Sequence, residues 1–70
     1  MKTDDEVIID PLDVKIVGLL AKGFKGVDIA KELVIDKKKV DNNLASMYRK
    51  LGCKNAAQLV YFFQKNKLIK

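Results

Sequence analysis

Seventy residues with 49% hydrophobic content, four glycines, one proline and a net charge of +5 make one small domain. A chain this short buries only roughly 60% of the surface its unfolded form exposes, so a core worth on the order of a few kcal/mol is the expectation. The balance fits a compact helical domain and not a chain that is disordered throughout, no apolar run reaches the roughly 18 residues of a membrane span, and MKTDDEV lacks the pattern of a secretory leader. A lone cysteine excludes an internal disulfide and suits a reducing interior, so the expectation is a soluble, cytoplasmic protein with no membrane partner.

The charge is unevenly spread. Residues 1–36 carry five lysines against eight carboxylates, a net −3, while residues 37–70 carry nine Lys or Arg against Asp41 alone, a net +8. A one-sided positive field attracts polyanions, of which DNA is the commonest, although lysines that only keep a small domain soluble give the same sum.

Residues 1–8 read as a poorly ordered acidic tail ahead of a domain over 9–70. Asp10-Pro11-Leu12-Asp13 is a helix start, with a capping residue, proline at the first helical position and a carboxylate in the first turn. The predicted helix runs over 11–22, with Leu12, Ile16, Leu19 and Leu20 as its inward stripe, Val17 at the edge and Gly23 ending it. Val14, Gly18 and Ala21 make the other side unusually plain, either a contact with another chain or a tolerated weak spot, since Gly18 costs about 1 kcal/mol relative to Ala.

A short helix over 26–33 follows, with Val27, Ile29, Ala30 and Leu33 apolar and Asp28 and Glu32 facing solvent. Lys25-Gly26 offers it no capping oxygen, so its start is expected to fray. Val34-Ile35 turns into Asp36, the N-cap of a third helix over 37–51 that Gly52 ends. Val40, Leu44, Met47 and Leu51, spaced four, three and four, form one buried stripe. The opposite side carries Lys38, Asn42, Ala45 and Arg49, flanked by Lys39, Asp41 and Ser46: a small, hydrogen-bonding face with a cationic edge, able to meet the edges of DNA bases. Two helices joined by about three residues, the second longer and cationic, make a helix-turn-helix.

Asn55 opens a last helix over 55–65, with Gln58 as its capping-box partner. Ala56, Leu59, Val60 and Phe63 give it a core face. Ala57, Tyr61 and Phe62, beside Gln58, Gln64 and Lys65, leave apolar surface over, either a contact surface or a cover for a neighbouring helix end. Leu68 and Ile69 are expected to pack back on the core.

No histidine and one cysteine leave no zinc ligand set and no Cys-His or Ser-His-Asp nucleophile, and Gly23-Phe24-Lys25-Gly26 is not a phosphate-binding loop. Cys53 reads as a filler of a small apolar site. No enzyme activity and no cofactor are expected.

From Ile9 to Ile69 the chain resembles the LuxR/GerE-type helix-turn-helix domain of bacterial transcription regulators. Asp10-Pro11 with Asp13, Leu19-Leu20-Ala21 with Gly23, Ile29-Ala30, Leu33, Ile35, Val40, Tyr48-Arg49-Lys50-Leu51-Gly52, Asn55, Ala57 and Leu68-Ile69 carry the likeness. The resemblance implies an all-α, four-helix fold whose third helix enters the major groove and whose fourth often serves dimerisation. It implies double-stranded DNA as partner through Lys37, Lys38, Lys39, Asp41, Asn42, Ala45, Ser46, Arg49, Lys50 and Lys54. A homodimer through Ala57, Gln58, Tyr61, Phe62 and Lys65, with a sensor domain or RNA polymerase as further contacts, and action at the nucleoid are implied too. The alternative is an interaction module that keeps the fold and has lost or weakened DNA binding.

The departures fall on the groove side. The Ser or Thr that usually caps the third helix is Asp36, the Thr three positions on is Lys39, the Lys after Val40 is Asp41 and the common His is Asn43. The Ser that caps the second helix is Lys25. Asp41 could accept from cytosine N4 or pair with Lys37 or Lys38. Asn42, Ala45 and Arg49 read as base contacts and the lysines as phosphate contacts.

Overall fold

The computed structural model describes residues 9–69, so the acidic tail expected over 1–8 lies outside the described residues. Within them the alternation of apolar stripes and turn residues gives four helices: α1 (Pro11–Ala21), α2 (Gly26–Leu33), α3 (Lys37–Leu51) and α4 (Ala56–Lys65). This is the expected all-α, four-helix architecture. Two bounds move by one residue. Lys22 is the cap that closes α1 and not its last turn, and Asn55, with φ −155, is the extended cap of α4 and not its first residue.

α2 lies chiefly along α3 and α1 chiefly along α4, and the two pairs share one core of Ile16, Val17, Ile29, Ala30, Val40, Met47, Leu59 and Phe63. The expected stripes of α3 and α4 supply their share, with Leu44 and Leu51 half-buried at the rim. α1 differs. Val17 is fully buried beside Ile16, whereas Leu12, Leu19 and Leu20 are only half-buried. α1 packs against α4, α2 and α3 together, so its covered arc is wider than one stripe. Val27 and Leu68, both expected to point inward, are exposed.

The plain side of α1 is partly covered at Val14 and Gly18, while Ala21 is exposed. A Cβ at Gly18 would stand 4.0 Å from Ile69 Cγ2, so the returning C-terminal residue lies over it, and Val14 packs against the core.

All four helices end in one way. An N–H donates to the carbonyl five residues back in each case: Phe24 to Leu19 at 3.1 Å, Ile35 to Ala30 at 3.0 Å, Cys53 to Tyr48 at 3.0 Å and Leu68 to Phe63 at 2.8 Å. The residue before each donor has positive φ, namely Gly23 at 95°, Val34 at 57°, Gly52 at 67° and Lys67 at 59°. These are Schellman-type ends, which satisfy the last carbonyls of a helix and turn the chain back on itself. Phe24, Ile35 and Cys53 then pack on the core, which gives Cys53 the filling role expected of it.

The starts are less regular. Asn55 Oδ1 accepts from the Gln58 N–H at 2.9 Å, and Gln58 Oε1 accepts from the Lys54 N–H at 2.7 Å, one residue ahead of the usual capping-box partner. Lys25 gives α2 no side-chain cap, as expected. Asp36 corrects an expectation: it holds the cap position of α3, but its carboxylate accepts no capping hydrogen bond. Its backbone carbonyl alone accepts, from Lys39 and Val40 at 3.0 and 3.2 Å.

Candidate nucleic-acid interface

α3 buries Val40 and Met47, and this anchoring turns the opposite side outward. Lys38, Asn42, Ala45 and Arg49 are exposed on that side, with Lys37, Lys39, Asp41 and Lys50 exposed around them. At 1.5 Å per residue the face from 38 to 49 is about 16 Å long, a length that fits a groove about 12 Å wide crossed at an angle. Ser46 is half-buried at its margin, and Lys54 is exposed just beyond the end of α3.

Charge on this helix breaks a local rule. Lys37, Lys38 and Lys39 fill its first turn, where no acidic residue sits. A helix N-terminus carries a positive partial charge, so each cation there costs roughly 0.3–1 kcal/mol. Asp41 Oδ2 relieves part of this by pairing with Lys37 Nζ at 2.8 Å, both side chains more than half exposed. Lys38 and Lys39 have no acid among the described residues within salt-bridge reach. Cations held where the helix disfavours them mark a face shaped for something other than stability.

The roll of α3 is fixed from behind. Asn43 Nδ2 donates to Asp13 Oδ1 at 2.8 Å, and the Asp13 side chain is 4% exposed. Its other oxygen accepts from the Asp10 N–H at 3.4 Å, so a single carboxylate closes the first turn of α1 and holds the second turn of α3. The sequence placed Asp13 in a helix first turn but gave no sign of this link. Its partner is 30 residues away, and no local pattern pairs them.

On α4 the expected contact residues divide. Ala57, Gln58, Tyr61 and Lys65 are exposed, with Tyr61 at 63%. Phe62 is half-buried, packs against the core and stands edge-on to Phe63 with ring centroids 6.1 Å apart, so it covers the core more than it faces out. Tyr61 sits with Leu20, Ala21, Ala56, Ala57 and Val60 on a shallow groove between α1 and α4. Among the described residues no group of three or more His, Cys, Asp or Glu could hold a metal ion, and no helix is long and apolar enough to cross a membrane.

Comparison with known proteins agrees with this geometry. The family described as bacterial regulatory proteins, luxR family, matches residues 13–63, from the carboxylate that holds α3 to the last core residue of α4. The oxygen regulatory protein NreC of Staphylococcus aureus strain JH9 is 33% identical over 67 residues, which are 96% of this chain and 31% of that protein. NreC of strains Mu3 and USA300 matches to the same extent. The chain therefore spans about a third of the length of these relatives. No solved structure matches it. With four helices in the expected order and the match running through all of them, the chain belongs to the luxR family of bacterial regulatory proteins.

Proposed function

We propose that this chain is the sequence-specific DNA-binding domain of a transcription regulator and that it sets α3 in the major groove. Asn42, Ala45 and Arg49 face base edges, and Lys37, Lys38, Lys39, Ser46, Lys50 and Lys54 face phosphates, with Asp41 among them. The observation that carries the reading is the first turn of α3, where three lysines stand against the helix dipole beside an exposed face of small and hydrogen-bonding residues. Membership of a family of bacterial regulatory proteins supports it. Two copies associate through α4, around the exposed Tyr61 with Ala57, Gln58, Phe62 and Lys65, and so present two reading helices to a two-part site. A sensor domain, or a contact with RNA polymerase, belongs to the regulator as a whole, which works in the cytoplasm at the nucleoid.

The test is titration of duplex DNA across a salt series. Binding that weakens steeply with salt, and that Lys38→Ala with Arg49→Ala weakens further and makes less steep, is the expected result. Affinity indifferent to salt and to both substitutions would replace this reading with a protein-interaction module that keeps the fold without the DNA.

A further inference from the structure

Three consecutive carboxylates, Asp4, Asp5 and Glu6, precede the point where the chain enters the fold, and that point lies against α3. Ile9 packs half-buried on the core and so fixes the entry. The Asp10 N–H donates to Asp13 Oδ2 at 3.4 Å, and Asn43 Nδ2 on α3 donates to Asp13 Oδ1 at 2.8 Å. Residue 10 is thereby linked through one carboxylate to the middle of α3. At about 100° per residue, Lys39, Ser46 and Lys50 stand within about 60° of Asn43, on the flank of α3 turned toward this entry. Lys37 and Asp41 lie on the other flank, where Asp41 neighbours Gly26 of α2. Lys39 and Lys50 are exposed, and no ion pair among the described residues engages either of them.

We propose that Asp4, Asp5 and Glu6 dock on this flank of α3 in the absence of DNA, with their carboxylates against Lys39 and Lys50, and give way when phosphates arrive. The lengths allow it. Glu6 and Asp4 are four and six residues ahead of Asp10, at most about 14 and 21 Å of extended chain, whereas Lys39 and Lys50 lie about 6 and 11 Å along α3 from Asn43. The charges favour it, since a run of carboxylates meets exposed cations that no other described residue neutralises. Tethering adds to this, because a partner held on a short segment acts at an effective concentration in the millimolar range. Exposed ion pairs are individually weak, so the contact yields to a duplex. Its consequence is competition. Lys39 and Lys50 cannot meet the carboxylates and phosphates together, so affinity falls for duplexes of every sequence. Asn42, Ala45 and Arg49, on the outward face, stay free to discriminate among bases. The proposal rests on α3 being the DNA-contacting helix.

The experiment compares four proteins: wild type, the neutralised variant Asp4→Asn with Asp5→Asn and Glu6→Gln, the variant Lys39→Ala with Lys50→Ala, and the combination of all five changes. Each is titrated with a mixed-sequence duplex over a salt series, and amide NMR spectra of the DNA-free proteins are recorded at two protein concentrations. Neutralisation is expected to tighten binding about two- to tenfold at low salt, the range that two exposed ion pairs give, and the gain is expected to fade as salt screens the contact. In the Lys39→Ala, Lys50→Ala background most of that gain is expected to vanish. Without DNA, the amides of Lys39, Ser46 and Lys50 are expected to shift on neutralisation, equally at both protein concentrations. Unmoved amides would overturn the contact. An equal gain in both backgrounds would overturn it in favour of plain repulsion between the carboxylates and the duplex. Shifts that grow with protein concentration would assign the carboxylates to a second copy and overturn docking within one chain. Binding indifferent to salt in all four proteins would instead overturn the DNA reading, and the amides would still decide whether residues 4–6 meet α3.

Discussion

The side-chain amide of Asn43 on α3 donates to the buried carboxylate of Asp13 at the start of α1, at 2.8 Å. No buried side-chain nitrogen or oxygen among the described residues lacks a partner, and this bond supplies the one for Asp13 Oδ1. It lies on the same helix as the proposed reading face but points the other way, so it helps set which residues of α3 reach outward.

Asn43→Ala removes the donor and leaves a buried carboxylate oxygen unpaired. The expected loss is about 2–3 kcal/mol, read as a fall in the urea midpoint, because stranding a charged acceptor costs more than a hydrogen bond contributes. Replacing both partners, Asp13→Asn with Asn43→Ala, is expected to cost less than the sum of the single changes. Strict additivity would show that the bond does not couple the two helices.

The helix ends give a second prediction. Val34 and Lys67 adopt the left-handed conformation in Schellman-type ends where glycine is the usual occupant, and Val34 is 87% exposed, so no packing compensates its strain. A left-handed residue with a Cβ costs roughly 1–2 kcal/mol, and glycine's greater unfolded-state entropy offsets part of that. Val34→Gly is therefore expected to raise stability by about 0.5–1 kcal/mol, several degrees in Tm for a domain of this size. Lys67→Gly should follow with a smaller gain, since it lies near the chain end. A lower Tm for Val34→Gly would refute the strain.

These four ends also show what was legible beforehand. Gly23 and Gly52 announced their turns by residue type, and the stripe from Val40 to Leu51 announced its face by period, so element order and the outward side of α3 followed from local rules. Val34 and Lys67 carry no such mark, because the same hydrogen bond forms there across residue types that do not favour the left-handed turn. The site divides in the same way. Exposure of Lys38, Asn42, Ala45 and Arg49 follows from the helix period, whereas the bond of Asn43 with Asp13 joins residues 30 positions apart. Local patterns say nothing about such pairs. Val17 was expected at the edge of the α1 stripe and is fully buried for a related reason: α1 packs against three helices, and one-face periodicity underestimates such a helix.

Tyr61 tests the proposed association of two copies. It is exposed on α4, next to Ala57 and beside the α1–α4 groove, while Phe62 is occupied with the core. Tyr61→Glu places a charge on that surface and removes an aromatic anchor, so the self-association measured by sedimentation should weaken at least tenfold, about 1.4 kcal/mol. The thermal midpoint, extrapolated to low concentration, is expected to stay within a few degrees of wild type. Phe62→Ala should lower that midpoint, since its ring covers Phe63. If Phe62→Ala alone disrupts association while Tyr61→Glu leaves it unchanged, the dimer surface lies elsewhere.

Asn42 and Lys39 separate reading from holding. Asn42 is exposed in the middle of the α3 face and can donate and accept toward adenine, a paired contact that contributes about 1–3 kcal/mol of discrimination. Lys39 is exposed in the first turn of α3, and in the proposed complex its charge meets a phosphate, which carries no base information. On a site selected from random duplexes, Asn42→Ala should lose roughly tenfold or more in affinity and relax preference at one base pair, with the salt slope unchanged. Lys39→Ala should weaken every duplex alike and reduce the slope by about one. The contrast rests on the proposed placement of α3 in the groove, with the side opposite its buried stripe toward the bases. If Asn42→Ala instead changed the slope and left base preference alone, the face from Lys38 to Arg49 would be a backbone contact, and the sequence readers would have to be sought on another part of the domain.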